Sequence, residues 1–503
     1  MRLVFEKTAR GIGQRIGNPI TGITAILRDL EGNPTGIPVQ LSKNWHNHPK
    51  GGAYSGQWFH GITQLRLPPG SQQELELSIC YGHWGGIPAA SHAQLSLIGW
   101  GTNQRWDQSA LGSWGESVCY EPDQTQGKCT VTDVRPFLVR PMNGGDSLNW
   151  TVNVGGADFF RLFDLEGNRL PHAAMQATYH RYGPCLTEVI YSGRLQPGIS
   201  HSKIVSIART DDVLRATYRV RLDVREPFAF SRFTLFQVGA DTYNKTYERR
   251  FAVGNASGLL DEWETQRGGD VYHRGPIRMV GATPWISLHE GTPINTRAAQ
   301  KGASANRGII LRSWKAQLGG QPAEPWLAEF GNGPENFSSA IADLVPPPEV
   351  RELVPGDFVE ATIEHVILPQ SVEDYLGPNE SLKKALRENS NTWKMVEREA
   401  TGNRRTITIE KGRLVHRYPD IRIESENGVV VFAIEGGLGQ VPITITGLSQ
   451  PDKGELTING TLLDQSIHGN DFWQTNHDAE SNTWSRTYNA SIPDKAAAQV
   501  RFE

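Results

Sequence analysis

The sequence lacks the features that mark several classes of protein. Its 503 residues include 50 Lys and Arg against 54 Asp and Glu, a formal net charge of −4, so the basic excess of a nucleic-acid binder is missing. No apolar run approaches the roughly 20 residues that span a bilayer. Four cysteines are too few for a disulfide scaffold. We therefore expect a soluble protein with no nucleic-acid partner and no membrane span.

Several short functional motifs are missing as well. The sequence has no phosphate-cradling glycine motif, no Gly-x-Ser-x-Gly elbow, no His-Glu-x-x-His motif and no EF-hand loop. These absences disfavour nucleotide-dependent, serine-hydrolase and zinc-protease chemistry, and we expect no cofactor and no metal. Residues 1–7 lack the apolar stretch of a secretory signal. A mature exported protein lacks it too, so a secreted or periplasmic location remains our expectation.

Tryptophan and glycine are abundant. The chain has 14 Trp, 53 Gly and 30 Pro, but only 5 Met. Trp presents a large flat apolar surface with one polar group, and the C–H faces of sugar rings stack on such surfaces. The alternative interpretation is that Trp fills the core of a large β-sandwich. The composition thus favours carbohydrate binding but leaves both roles open.

Period-two alternation of polar and apolar residues dominates the chain. It is clearest over residues 217–224, 359–364, 405–410 and 421–424, and alternation of this kind is typical of half-buried antiparallel strands. Asn427-Gly428 and Asn459-Gly460 predict two-residue hairpins because both central positions require positive φ. Asp-Leu-Glu-Gly-Asn occurs at 29–33 and again at 164–168, which we interpret as shared hairpin chemistry. The further predicted strands are 74–80, 94–98, 204–209 and 230–238.

Helical signal is scarce and predicts how the chain divides. Residues 380–389 form the best helical candidate, with Asn379 or Ser381 as N-cap. Dense short strands follow from about residue 401. We therefore predict an all-β protein with a large antiparallel, supersandwich-like β-sandwich over residues 1–375. A short helical linker over 376–400 and a smaller β-sandwich over 401–503 complete it.

The segment 99–123 is the richest in potential site residues. It follows a predicted strand and contains two carboxylates, Asp107 and Glu116, with glycines that allow a ligand to approach the backbone. Glycoside hydrolysis needs two carboxyl groups roughly 5–10 Å apart, a spacing that these two reach only if the loop folds back. The alternative is that they cap turns over packed Trp side chains. The predicted sugar-binding residues of this segment are Trp100, Asn103, Trp106 and Trp114.

A second glycine-rich segment, 80–92, precedes it. His83, Trp84 and His92 lie in this segment and suggest a substrate-binding rim. The two histidines have no recognised metal-ligand spacing, and the pair at His46 and His48 is equally unspecific.

The segment 177–184 contains the residue types that a polysaccharide lyase uses. Tyr or His moves the C5 proton of a uronate and a cation neutralises its carboxylate. Regular alternation in a strand places Tyr179 and Arg181 on one face and His180 and Tyr182 on the other. The alternative is a structural histidine at a strand end.

Further acids stand where strands run into turns, and any of them can supply a second carboxylate. Asp241 directly follows the apolar strand 233–238. As single residues they can equally cap turns or face solvent. The others are Asp158, Glu262 and Glu264.

The layout resembles carbohydrate-active enzymes with a galactose-mutarotase-like β-supersandwich and a smaller C-terminal β-sandwich. The stretches Gly-Trp-Gly-Thr-Asn-Gln-Arg-Trp-Asp and Gly-Ser-Trp-Gly-Glu-Ser are also similar to segments of proteins from polysaccharide-degrading bacteria. This resemblance covers most of the chain as architecture and implies a polysaccharide substrate. Lyases with this sandwich carry an N-terminal helical toroid, which the sequence lacks.

Three functional hypotheses follow. The first is a glycoside hydrolase with Glu116 as general acid, Asp107 or Asp241 as its partner and a Trp-lined cleft. The second is a polysaccharide lyase that uses Tyr179, His180 and Arg181. The third is a glycan-binding surface protein without catalytic activity.

Overall fold

The structure is a computed structural model of the 503-residue chain, and side chains are described mainly from residue 157 onward. It describes residues 2–5, 22–32, 34–43, 59–63, 69–82, 94–100, 105–113, 116–121, 130–136, 157–181, 185–196, 198–208, 214–239, 249–264, 272–290, 305–330, 341–369, 393–402, 404–436, 439–451, 454–463, 473–478, 480–492 and 496–503.

Two large sheets form the first part of the described chain. The fourteen-stranded sheet contains β1 (Arg2–Phe5), β2 (Gly22–Arg28), β3 (Pro34–Lys43), β4 (Phe59–Thr63), β5 (Glu76–Gly82), β6 (Gln94–Trp100), β7 (Arg105–Ser113), β8 (Glu116–Glu121), β9 (Thr130–Pro136), β10 (Ala157–Phe163), β16 (Arg232–Gly239), β19 (Tyr272–Arg278), β23 (Trp326–Phe330) and β24 (Ile341–Val345). The ten-stranded sheet contains β11 (Ala173–Arg181), β12 (Leu186–Gln196), β13 (Ile199–Ala208), β14 (Leu214–Val224), β17 (Arg249–Asn255), β18 (Gly258–Glu264), β20 (Trp285–Glu290), β21 (Ala305–Leu318), β22 (Gln321–Pro322) and β26 (Phe358–Pro369). A two-stranded sheet adds β15 (Phe228–Ala229) and β25 (Glu352–Leu353).

The two large sheets pack face to face through the predicted alternation. In β14, Ala216, Tyr218 and Leu222 are buried in the shared core while Arg221 is exposed. The Tyr218 ring meets the Phe159 ring of β10 in the opposite sheet at 5.1 Å between centroids. Each fully buried apolar side chain of this size contributes about 1.5–3 kcal/mol. The predicted large antiparallel β-sandwich is confirmed.

Two smaller sheets form a second sandwich with its own core. One contains β27 (Thr406–Lys411), β30 (Val430–Glu435), β32 (Leu456–Ile458), β33 (Thr461–Leu462) and β36 (Ala497–Phe502). The other contains β28 (Arg413–His416), β29 (Ile421–Glu424), β31 (Gly439–Leu448), β34 (Trp473–Asp478) and β35 (Thr483–Ile492). Strict alternation in β36 buries Ala498, Val500 and Phe502 in the core that both sheets share. The predicted C-terminal sandwich is confirmed.

The two Asn-Gly turns behave differently. Asn459 and Gly460 have φ of 50° and 79° and join the paired strands β32 and β33, as predicted. Asn427 and Gly428 have φ of 54° and 80°, but the flanking β29 and β30 belong to different sheets. Glu426 and Val429 exchange two backbone hydrogen bonds across this turn, so the predicted two-residue hairpin turn is present. It is only one residue pair long, because the chain then passes from one sheet of the sandwich to the other.

One helix, α1 (Trp393–Gly402), is present among the described residues, and the helix predicted over 380–389 lies outside them. Met395, Val396 and Ala400 of α1 pack on the outer face of the ten-stranded sheet against its buried Trp285. Gly308 allows this approach, since a Cβ there would lie 2.5 Å from Val396. The domain boundaries at 375 and 400 stay predictions. No described helix is long and apolar enough to cross a membrane.

Three buried histidines make the large sandwich sensitive to acid. His172 Nδ1 and His201 Nε2 lie 2.9 Å apart in the core, and His365 is fully buried beside Tyr218. Burial, reinforced by the Lys203 charge, lowers the pKa of His172 and His201 well below the usual value. Burial, together with Arg307, lowers the pKa of His365 to about 3.

We expect the free energy of unfolding to fall as the pH drops below about 6.5, the pKa of histidine in an unfolded chain. Below that pH these histidines are protonated in the unfolded chain but stay neutral in the folded one. Each histidine then lowers the free energy of unfolding by about 1.4 kcal/mol per pH unit. Denaturant titrations from pH 7.5 to 5 test this, with His365→Phe as the variant that should remove about one third of the slope. A stability that is flat across this window contradicts it.

Candidate functional site

The strands that carry the predicted tryptophan and carboxylate segment are neighbours in the fourteen-stranded sheet. β6 ends at Trp100, β7 contains Trp106 and Asp107, and β8 begins at Glu116. The sheet order is β6-β7-β8-β9-β10, so these strands lie beside the central part of the sheet. The other predicted site residues in this part of the chain lie outside the described residues, namely His83, Trp84, His92, Asn103, Trp114 and Asp241.

The hairpin of β7 and β8 separates Asp107 from Glu116. Glu116 pairs with Ser113 next to the turn, whereas Asp107 lies six residues further along β7. At about 3.3 Å per residue this places their backbones about 20 Å apart. That separation exceeds the spacing that glycoside hydrolysis needs. The β7–β8 register therefore disfavours Asp107 as the partner of Glu116, and the catalytic roles of both residues stay predictions.

The predicted lyase residues Tyr179, His180 and Arg181 lie at the end of β11. The β11–β12 register shifts between Tyr179 and Arg181, and this irregularity breaks the expected alternation. His180 Nδ1 lies 3.3 Å and Arg181 Nε 2.9 Å from the same carboxylate oxygen of Glu188. The prediction that His180 and Arg181 face opposite sides is wrong, because a bulge turns both toward one side.

Arg181 belongs to a buried ionic group that joins the large sandwich to the C-terminal sandwich. This group, the Glu188 cluster, consists of Arg181, Glu188, Arg219, Asp420 and Arg422. Glu188 lies 2.9 Å from Arg219 and 3.0 Å from Arg422, and Arg422 lies 3.1 Å from Asp420.

The cations of this cluster outweigh the effect of burial on the carboxylate. Burial alone would raise the pKa of Glu188, but Arg422, His180, Arg181 and Arg219 hold that pKa well below its usual value. Burial and the nearby Arg422 charge lower the pKa of Arg181 to about 10. The charge of Arg181 is thus neutralised within the junction between the two sandwiches.

Two other buried carboxylates lie on the face of the fourteen-stranded sheet that points away from the ten-stranded sheet. Asp158 of β10 pairs in register with Gln237 of β16, which pairs with Asp343 of β24. In-register residues of neighbouring strands share one face. The flanking Ala157 and Ala342 face the core, so Asp158, Gln237 and Asp343 face the other way. All three side chains are fully buried.

An unusual backbone conformation in β10 adds a cation to this face. Phe160 has φ of 50°, which is rare for a bulky residue and costs about 1–3 kcal/mol. Both Phe159 and Phe160 thereby pack in the core, where Phe160 meets the His201 ring. Asp158 and Arg161 consequently lie on the same outer face, with 3.5 Å between Oδ2 and Nε.

We call Asp158, Arg161, Thr234, Gln237 and Asp343 the Asp158–Asp343 cluster. Hydrogen bonds link four of these groups, and the ion pair between Arg161 and Asp158 joins the fifth. Arg161 donates to Gln237 Oε1 at 2.7 Å, and Gln237 Nε2 donates to Asp343 Oδ1 at 2.6 Å. Thr234 donates to Asp343 Oδ2 at 3.0 Å. The amide of Gln237 is thus fixed between a cation and an acid.

The two carboxylates differ in their surroundings. Burial raises the pKa of Asp343, although Arg161, Gln237, Arg232 and Thr234 oppose the shift. Asp158 accepts a hydrogen bond from Arg169 at 3.0 Å and one from the Phe159 backbone N–H at 2.9 Å. Burial thus dominates at Asp343, whereas Asp158 forms direct ion pairs with Arg161 and Arg169. Such a difference suits an acid and a base.

Asp158, Gln237 and Asp343 form a row of in-register residues across the sheet. This row continues toward β8, in the predicted segment 99–123. Asp158 pairs with Thr130 of β9, and Thr130 pairs with Glu121, the last residue of β8. Glu121 and Asp158 therefore occupy positions two strands apart in one row of the sheet. This row connects the Asp158–Asp343 cluster with the hairpin that carries Trp106.

Sequence reasoning identified Asp158 as one of several acids near turns but missed Asp343. The signal was a single Asp within the apolar run Ile-Ala-Asp-Leu-Val, where a buried acid requires a partner. The described residues include no group of three or more His, Cys, Asp or Glu that can hold a metal ion.

No model of a known protein family and no curated protein matches the sequence. Among solved structures, the chain is similar to the galactosidase domain of alpha-galactosidase-sucrose kinase, AgaSK, with a TM-score of 0.30 and 9% identity. This similarity covers 53% of the present chain and 41% of that chain. It is too low to carry an argument about fold or function.

Proposed function

We propose that the protein is a glycoside hydrolase that cleaves a polysaccharide, with Asp343 as the general acid and Asp158 as the base. The observation that carries the proposal is the Asp158–Asp343 cluster, in which two buried carboxylates on one sheet face differ in their environment. Asp343 donates its proton to the leaving-group oxygen, and Asp158 accepts a proton from the attacking water.

The strand spacing supports a particular stereochemical outcome. Asp158 and Asp343 are separated by one intervening strand, so their backbones lie about 9.6 Å apart. Inverting glycosidases hold their carboxyl groups about 6.5–9.5 Å apart, whereas retaining enzymes hold them about 5–5.5 Å apart. Since the backbone spacing is closer to the inverting range than to the retaining one, we propose inversion, with a water between the carboxylate and the sugar.

The position of the tryptophan strands supports a polysaccharide substrate. β7, with Trp106, lies three strands from β10 in the same sheet, which corresponds to about 14 Å. A sugar chain that crosses the strands can reach both the Trp-bearing hairpin and the Asp158–Asp343 cluster. Glu116 and Asp241 are retained as alternative carboxylates for the same reaction.

The Glu188 cluster disfavours the lyase alternative. A lyase needs a cation that faces the uronate carboxylate, but the Arg181 charge is directed at Glu188 in the junction between the two sandwiches. A further alternative is that the Asp158–Asp343 cluster only stabilises the sheet, since both carboxylates are buried. The protein would then bind glycans without cleaving them, and the tryptophans would be its sugar-binding residues.

The reaction type is tested by mass spectrometry of the products from a panel of neutral and uronate-containing plant and algal polysaccharides. We expect oligosaccharides that have gained one water at each cut bond. Unsaturated, water-deficient ends would indicate elimination. A polysaccharide that binds to the protein and remains uncut would favour the non-catalytic alternative.

A further inference from the structure

A cleft of about 500 Å³ lies at one end of the large sandwich, and no part of the proposed hydrolysis uses it. Its floor is the second half of β21, including Ser313, Trp314 and Lys315. Its walls are residues 278–284, which follow β19, and residues 323–325, which precede β23. The cleft therefore lies between β21 of the ten-stranded sheet and the β19 end of the fourteen-stranded sheet.

The floor exposes an unpaired stretch of strand edge. On the cleft side, β20 pairs with β21 only as far as Ile310, and β22 begins to pair at Gln317. No described strand pairs with residues 312–315 on that side. Alternate residues of a strand direct their amide and carbonyl groups to opposite neighbours, and on its other side this stretch pairs with β26. About two of the four residues, within about 13 Å of backbone, are therefore left with amide and carbonyl groups that can hydrogen-bond a ligand.

A tryptophan is fixed beside this open edge. Trp314 Nε1 donates to the Ala323 carbonyl oxygen at 2.8 Å, and the ring packs partly on the large core. Because the indole ring is already held in place, one of its flat apolar faces can stack on a ligand with little loss of side-chain entropy. A flat apolar ring beside hydrogen-bonding groups matches a sugar, which has a C–H face and hydroxyl groups.

Two backbone irregularities shape the cleft. The β21–β26 register shifts between Leu311 and Ser313, which inserts Arg312 as a bulge. Thr283 has φ of 50°, an outlier for a β-branched residue. Bulges and strained residues of this kind concentrate at binding sites.

The residues that line the cleft suit the binding of a ligand but not its hydrolysis. Among the described residues that line the cleft, Glu324 is the only acid, and it forms an ion pair with Arg278. Two-carboxylate hydrolysis is therefore not available there. A peptide that adds a strand to the open edge is the rival ligand. The open edge is only about four residues long, because β20 and β22 pair with β21 on either side of it, and the bulge twists it. A short, twisted edge is a poor template for a further strand, which favours a saccharide as the ligand.

We propose that this cleft binds a short oligosaccharide, with Trp314 as the stacking platform and the open edge of β21 as the hydrogen-bonding wall. The site holds a sugar chain without cleaving it. It does not depend on the Asp158–Asp343 cluster.

Isothermal titration calorimetry with glucose-, galactose- and xylose-based tetrasaccharides tests the proposal. We expect Trp314→Ala to weaken binding of at least one tetrasaccharide by about tenfold, and Trp314→Phe to weaken it much less because a ring remains. Because Trp314→Ala can perturb folding, Ser313→Arg serves as a second variant. It alters an exposed side chain and blocks the cleft, with the same expected loss.

The outcomes separate this site from the proposed catalytic one. Trp314-dependent binding of a tetrasaccharide supports the cleft even if no polysaccharide of the panel is cut, and that second result contradicts only the proposed function. Equal binding by wild type, Trp314→Ala and Ser313→Arg, or no binding of any tetrasaccharide, overturns the proposal. Binding of an alternating Thr-Val hexapeptide that Ser313→Arg abolishes, with no saccharide bound, assigns the edge to a peptide instead.

Discussion

Replacing Asp343 with Asn is expected to lower kcat on a cleaved polysaccharide by about 10²–10⁴-fold, the usual contribution of a general acid. The amide has nearly the shape of the carboxyl group but no proton that it can transfer. Asp158→Asn should cause a loss of similar size, because an amide cannot accept the proton of the attacking water. Initial rates of reducing-end formation measure both effects.

The matched control for these variants is a buried carboxylate with a structural role. Asp357 accepts backbone hydrogen bonds from Gly319, Gly320 and Val354 at 2.7–2.9 Å. Asp357→Asn should lower the free energy of unfolding by about 1–3 kcal/mol and leave kcat unchanged. If Asp343→Asn instead behaves like this control, the Asp158–Asp343 cluster is a structural network and Glu116 becomes the next candidate.

Replacing Glu188 with Gln is expected to lower the free energy of unfolding by about 3–5 kcal/mol. Glu188 neutralises Arg181, Arg219 and Arg422, and Arg181 and Arg422 are buried. A neutral amide leaves these cations without most of their counter-charge. Because the pKa of Glu188 is held well below its usual value, wild type should keep this contribution from neutral pH down to about pH 4.3, the pKa of Glu in an unfolded chain, and lose it progressively as the pH falls further.

An exposed ion pair on the same sheet gives the control for Glu188. Glu360 of β26 pairs with Arg221 of β14, and both side chains are nearly half exposed. Glu360→Gln should change the free energy of unfolding by no more than about 1 kcal/mol. Guanidinium denaturation followed by tryptophan fluorescence measures both variants. Equal changes for Glu188→Gln and Glu360→Gln would show that the Glu188 cluster does not hold the two sandwiches together.

Local sequence pattern predicted the strands well because it reflects burial directly. The predicted strand 217–224 lies within β14, and the predicted strand 421–424 coincides with β29. Helix α1 overlaps the end of the predicted helical linker, but its position was missed because its buried face includes Glu399, which pairs with Arg215 of the sheet. A charged residue in that position hides the apolar face of a helix from any pattern based on hydrophobicity.

Long-range pairing explains what the sequence did not predict. Gln237 and Asp343 are 106 residues apart along the chain and become neighbours only through the strand order β10-β16-β24. The partnership of Arg181 with Glu188 depends on a bulge, and that of Glu188 with Arg422 on the contact between two sandwiches. Neither leaves a local signal. The candidate residues in 83–92 and 101–104, and Trp114 and Asp241, stay predictions.

The most direct test of the central claim is digestion in water enriched in oxygen-18, with mass spectrometry of products from wild type and Asp343→Asn. The account predicts one heavy oxygen per cut bond for wild type and almost no product for the folded variant. Products without the heavy oxygen, or equal product from Asp343→Asn, would contradict hydrolysis by the Asp158–Asp343 cluster.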